Sequence, residues 1–216
     1  MEDLNVFQQF WYYTSNNFGY ILAQFWRHFL VSAYGVLFAS IVGVPLGILL
    51  EKCRKLAPWV FALANILQTV PALALMAIIM IYLGLGVNTL IVVIFLYSLL
   101  PIIRNTYTGM ATLDPDVLEA ATGMGMTNFQ RLRMVEFPLA LSVIMGGIRN
   151  ALVVAVSIGA IGTFISAGGL GDIIVQGTSA TNGAGIILAG ALPTALMAII
   201  VDVVLGWVEK RFTVSS

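Results

Sequence analysis

The sequence has one cysteine, Cys53, and one histidine, His28, in 216 residues. A single cysteine excludes an intrachain disulfide and leaves the redox compartment open. One cysteine and one histidine also exclude a Cys/His metal cluster, and no convincing Ser-His-Asp set can be built around that one imidazole. Charge is equally scarce. Only 9% of the residues are Asp, Glu, Lys or Arg, against roughly a quarter in a soluble domain, which excludes an ordinary soluble globule. Ten acids balance ten bases, so nothing points to a polyanionic partner. No G-x-x-x-x-G-K-[ST] sequence occurs, which excludes ATP binding through a P-loop. The opening Met1-Glu2-Asp3 is acidic, with no basic n-region, so no cleavable signal peptide is expected. No internal repeat is evident, and the chain reads as one domain.

What is there is apolar. Hydrophobic residues make up 60% of the chain and the mean hydropathy is +0.99, the signature of a polytopic membrane protein. A helix of about 20 apolar residues crosses the hydrocarbon core, and the pattern gives spans over 29–50, 58–83, 89–103, 139–165 and 185–208. Residues 1–28 are aromatic-rich and read as an external amphipathic segment on the membrane surface, where Trp and Tyr gather. His28 is read there as an interfacial residue. In the first span Gly43 and Gly47 have the GxxxG spacing of a close helix contact, and Pro45 predicts a kink. The second span is over-long and is expected to break at Pro71. The polar pair Gln68 and Thr69 beside it either lines a translocation path or satisfies backbone groups at the break. Tyr97 near the end of the third span is a further candidate for the path.

In the fourth span Ala151, Ala155 and Gly159 recur every four residues as a small-residue seam. Arg149 inside that span either faces a functional site or snorkels to the interface, and Asp202 is a potential partner of unknown depth. The glycine-rich stretch 166–172 lacks the spacing of a phosphate loop and reads as an outer turn or re-entrant bend. Lys52, Arg54, Lys55, Arg104, Arg131, Arg133, Lys210 and Arg211 fall on one side of this topology and Arg27 on the other. The positive-inside rule then puts the N-terminus outside and the C-terminal tail, 209–216, in the cytoplasm.

The stretch 114–138 is the one long mid-chain segment that is not continuously apolar. Asp114 can cap a helix with Pro115 at its first position. Gly123 and Gly125 interrupt that helix. Thr127 with Gln130 fits a capping box for a second, which Pro138 ends or turns into the next span. Within the stretch stand Glu119-Ala120-Ala121, then Gly125, then Val135, Phe137 and Pro138. This resembles the EAA loop of prokaryotic ABC importer permeases, with Val and Phe where the family has Ile and Leu. The resemblance implies an all-α polytopic membrane protein of the type I ABC importer permease fold, with about five transmembrane helices and a cytoplasmic EAA coupling helix. The transmembrane type-1 domain would span 29–208. Glu119, Ala120, Ala121, Gly125, Met126, Thr127, Phe129, Val135, Phe137 and Pro138 would then be the ATPase-coupling residues.

Four stretches in order (68–74, 97–106, 119–127 and 162–171) look like the osmoprotectant permeases, which move glycine betaine, carnitine, choline or similar solutes. The same resemblance implies a second permease chain, ATP-binding cassette ATPase subunits that bind ATP and Mg, and an external substrate-binding protein. The chain itself would bind no cofactor, sit in the cell membrane and act as a transport subunit rather than an enzyme. The translocation path would involve Gln68, Thr69, Pro71, Tyr97 and Arg149. A quaternary ammonium cage of aromatics is expected on the binding protein, because the aromatics here are mostly interfacial. In the resembled family a glycine-rich stretch like 166–172 follows the same span, with a gate or a binding-protein docking surface as its expected role. A methionine or amino-acid ABC importer permease is the near alternative, and an ATP-independent secondary transporter the distant one.

Overall fold

The structure, a computed structural model, describes residues 5–212. Met1-Glu2-Asp3 and the last four residues of the 209–216 tail lie outside the described residues. Every regular element among those described is helical: α1 (Val6–Lys52), α2 (Ala57–Thr69), α3 (Ala72–Leu83), α4 (Val87–Ala111), α5 (Pro115–Gly123), α6 (Asn128–Arg131), a π turn (Leu132–Glu136), α7 (Phe137–Ile161), a 3-10 turn (Gly162–Ile165), α8 (Leu170–Ser179) and α9 (Ala184–Phe212). Four continuous helical runs are long and apolar enough to cross a membrane: Val6–Lys52, Val87–Ala111, Asn128–Ile165 and Ala184–Phe212. The bent pair α2–α3 makes a fifth, broken by 96° at the position of Pro71.

The aromatic segment 1–28, where it is described, is continuous helix with the first span. It is the first half of α1 and runs into the span. Asn5 opens the helix with a capping box: its side chain accepts from Gln8 N–H, and its own N–H donates to the Gln8 side chain. The residue inside α1 with non-helical angles is Asn17 (φ −122°, ψ 20°), not Pro45. The Asn17 side-chain amide donates to the Tyr13 carbonyl at 3.0 Å, which satisfies an acceptor at that irregularity. Polar residues of this half reach inward: Tyr13 Oη donates to Gln176 Oε1 at 2.8 Å. The third span, read as ending at Ile103, continues two further turns to Ala111.

The core lies between α1, α4 and α7, around Val36, Ala39, Met76, Val93, Ile94 and Ala155. The GxxxG pair of α1 extends to a four-residue rhythm, Gly35, Ala39, Gly43 and Gly47; the three glycines face α4 and Ala39 is fully buried. At Gly47 an added Cβ would sit 2.6 Å from Thr106 Cβ and 2.9 Å from the Ile103 carbonyl oxygen. Backbone contact this close admits no side chain. Gly47→Val is therefore expected to destabilise the chain by about 1–3 kcal/mol through overpacking. Thermal unfolding in detergent, followed by tryptophan fluorescence, measures it; an unchanged transition would mean that α1 and α4 do not touch there.

Ala151 and Ala155 of the predicted α7 seam are buried, and Gly159 faces His28 and Ser32 of α1. His28 is 2% exposed, so it is a core residue and not an interfacial one. Its Nε2–H donates to the Val156 carbonyl (2.8 Å), and its Nδ1 accepts from Leu170 N–H (3.3 Å). A carbonyl only accepts and an amide N–H only donates, so these partners require the neutral Nε2–H tautomer. Gln24 Oε1 accepts from Gly169 N–H at 2.7 Å. Helix α1 thus holds the first amides of α8 in place. Ser166, Gly168 and Gly169 take positive φ, which turns the chain into α8. Residues 167–171 are buried beneath α1, so this glycine-rich stretch is an internal turn and offers little docking surface.

Candidate functional site: the 114–138 loop and a polar groove

The loop 114–138 has the local chemistry that its sequence predicts. Asp114 Oδ1 accepts from Asp116 N–H (2.9 Å) and Pro115 occupies the first turn of α5. Gly125 has φ +77°, a left-handed angle that glycine adopts without strain. The Thr127–Gln130 capping box is formed in both directions. Pro138 does not end the second helix. It sits in the first turn of α7, directly after the π turn, so α6, the π turn and α7 form one continuous rod. Proline clashes with the carbonyl four residues back and lacks an N–H; the wider π turn, in which Phe137 N–H bonds to the Leu132 carbonyl, makes room for it.

The π turn creates a contact that the sequence did not reveal. Residues five apart lie on different faces of an α-helix but come together in a π turn. Arg131 Nε bonds Glu136 Oε1 at 2.6 Å, and Glu136 is only 5% exposed. Arg131 Nη1 also donates to Thr122 Oγ1 at 3.2 Å, which ties α5 to the rod. The arginine–glutamate spacing followed by proline was the available signal.

Of the loop's motif residues, Ala121 is buried, while Glu119, Ala120, Gly125, Thr127 and Pro138 are exposed and Met126, Val135 and Phe137 half-buried. Phe137 packs on Met110, Ala140 and Ile144. Phe129 is 69% exposed, and Val117, Met124 and Met134 are exposed as well. The loop therefore presents an acidic residue among uncovered apolar side chains. That composition suits a protein contact better than open solvent.

Toward the bundle interior, Gln68 and Tyr97 meet at the broken span. Pro101 has no N–H for the Tyr97 carbonyl, and Gln68 Nε2 donates to that orphaned oxygen at 3.0 Å. In return Tyr97 Oη donates to the Val70 carbonyl at the break. Both side chains also line a cavity of about 400 Å³ with Pro101, Arg104, Asn105 and Asn150. Gln68 thus satisfies a backbone carbonyl near the break and also lines this cavity. Thr69 donates to Ile66 of its own helix and Pro71 makes the break; neither lines this cavity.

Arg149 lines an adjoining cavity of about 390 Å³, which shares Asn105 and Asn150 with the first. Its guanidinium forks onto Asp202 (2.7 and 2.8 Å) and reaches Glu209 Oε2 (3.1 Å). It lies across Gly206, where an added Cβ would stand 3.0 Å from Nη1. The pairing with Asp202 is therefore realised, with Glu209 as a further partner. Asn105, Asn150 and Arg104 join the groove unannounced; their signal was an amide or base inside an apolar run.

Known proteins share this architecture and sequence. The glycine betaine/carnitine/choline transport system permease protein OpuCD of Bacillus subtilis (strain 168) is 63% identical over 97% of this chain and 92% of its own length. The carnitine transport permease protein OpuCD of Listeria monocytogenes is 60% identical over 92% and 89%. The choline transport system permease protein OpuBD of Bacillus subtilis (strain 168) is 59% identical over 97% and 93%. Among solved structures, the MetNI methionine ABC transporter in an inward facing conformation superposes with a TM-score of 0.80 at 22% identity, over 90% of this chain and 96% of that one; at that identity it shows a common fold. Residues 43–214 match the family of binding-protein-dependent transport system inner membrane components, and the chain belongs to that family: it is a membrane-embedded permease of the ABC importer type, distinct from the ATPase.

Proposed function

We propose that this chain forms the translocation path of an ATP-driven importer for osmoprotectants such as glycine betaine, carnitine and choline. The observation that carries the reading is the 59–63% identity, over nearly whole chains, to permeases named for those solutes. The methionine and amino-acid alternative is supported by likeness of fold alone.

Two permease chains, identical or sister, enclose the path. ATP-binding cassette subunits carry ATP and Mg and grip the loop through Glu119, Ala120, Ala121, Gly125, Met126, Thr127, Phe129, Val135, Phe137 and Pro138. The exposed Phe129 and Met124 supply apolar contact and Glu119 supplies charge. Because α6 and the π turn run straight into α7, a displacement of the loop moves α7 as a rod, with Asn150 and Arg149 on it. ATPase closure thereby reaches the groove between α2, α4 and α7. The N-terminus lies outside and the C-terminus in the cytoplasm, and an external binding protein delivers the solute.

The test is reconstitution of the complete importer in liposomes. ATP-dependent accumulation of betaine, carnitine or choline is expected. Accumulation of methionine and none of these three would replace the substrate reading; accumulation without ATP would replace the mechanism.

A further inference from the structure

We propose that Arg104 reads the carboxylate of zwitterionic solutes as they pass the groove, so that carboxylated osmoprotectants depend on it and choline does not. This rests on the substrate reading above and adds a residue that discriminates among its solutes.

The cavity beside the broken span has one charged residue in its lining, Arg104; the others are amides, a phenol and apolar side chains. Arg104 is exposed. Its Nη2 donates to Asn65 Oδ1 at 3.2 Å, and its guanidinium stands 5.7 Å from the centre of the Phe61 ring. Asn65 and Phe61 are neutral, and among the described residues no carboxylate pairs with Arg104. A guanidinium has five N–H donors, so one bond to an amide leaves most of the fork available, while Phe61 and Asn65 hold it in position. A planar fork of this kind matches a carboxylate in two-point geometry.

The acids of the groove, Asp202 and Glu209, gather around Arg149 in the adjoining cavity. They do not line the Arg104 cavity, so an entering carboxylate meets no fixed negative charge there. Tyr97 lies seven residues before Arg104 on the same helix, two turns away on the same face and about 10 Å along the axis. Its ring suits a trimethylammonium group, which forms no hydrogen bond and is attracted by a π face. A zwitterion moving along α4 therefore meets an aromatic ring and then a guanidinium. Glycine betaine and carnitine have groups for both; choline carries an alcohol in place of the carboxylate and has a group for the first alone.

The experiment uses the complete importer in liposomes, with the wild type and Arg104→Gln compared for betaine, carnitine and choline. Rates are read as ratios within one preparation, so differences in assembly cancel. The betaine-to-choline and carnitine-to-choline ratios are expected to fall about tenfold in Arg104→Gln, the equivalent of one charge-assisted hydrogen-bond pair. Equal loss for all three solutes, or no change, overturns the proposal and leaves the substrate reading standing. A wild type that moves none of the three overturns both. If Arg104→Gln does not assemble, Arg104→Lys takes its place. It keeps the charge without the fork, and the KM for betaine is expected to rise about threefold with that for choline unchanged; a parallel change in both KM values overturns the proposal.

Discussion

Replacing Glu119 by lysine is expected to reduce ATP-driven uptake at least 100-fold while leaving the permease folded. Glu119 is exposed in the second turn of α5, and its side chain makes no hydrogen bond or ion pair among the described residues. Its removal therefore costs the chain little; a surface change of this kind shifts stability by about 0.5 kcal/mol or less. The same isolation makes it available to a partner. Its neighbour Ala121 is 2% exposed and anchors the helix, so α5 is fixed with Glu119 and Ala120 facing out. Reversing a charge at a docking surface costs several kcal/mol when the partner's complementary charge is left desolvated. Three readouts separate the causes: uptake in liposomes, co-purification of the ATPase, and thermal unfolding of the permease. The expected pattern is lost uptake, weakened co-purification and an unshifted transition. Uptake above a tenth of wild type would mean that the loop does not carry the coupling through this residue.

Arg131→Met acts on the same loop from inside. Glu136 is nearly sealed from solvent and its carboxylate is held by Arg131. Without the guanidinium, a buried carboxylate loses its counter-charge and α5 loses its tie through Thr122. A loss of about 1–3 kcal/mol in stability is expected, the cost of an unsatisfied buried polar group, with uptake reduced roughly tenfold or more because α5 no longer keeps a fixed angle to the rod. The double variant Arg131→Met, Glu136→Gln is expected to recover most of the stability, since the stranded charge is gone. It should recover little of the uptake, since the tie to Thr122 is still missing. If the double variant is as unstable as the single one, the pair is not what holds the π turn.

Local signals were legible along the chain wherever the cause was local. The Asp114 cap, the end of α5 at the Gly123–Gly125 pair and the Thr127–Gln130 box each depend on residues within one turn, and each is formed as read. The break of the second span at Pro71 follows from one proline. The apolar runs located the spans, but their ends were misjudged where a base was taken as a boundary. Arg104 lies inside α4, because an arginine in a groove need not end a helix. His28 was misplaced for the opposite reason. Its neighbours are aromatic, and only the fold shows that α7 and α8 supply the carbonyl and amide that satisfy both ring nitrogens.

Composition and pattern by themselves determined that the chain is a bundle of apolar helices, that the second span breaks at Pro71 and which loop stands apart, and the motif in that loop gave the family by resemblance. These rest on hydropathy and on spacings within a few residues. The tertiary structure decided the partners across long separations. Gln68 answers the carbonyl that Pro101 leaves open, and Arg149 spans 53 residues to reach Asp202. It also decided that α6, the π turn and α7 are one rod, and that Asn105 and Asn150 belong to both cavities. A buried polar group accepts whichever partner the packing brings to it, and packing is a property of the whole chain.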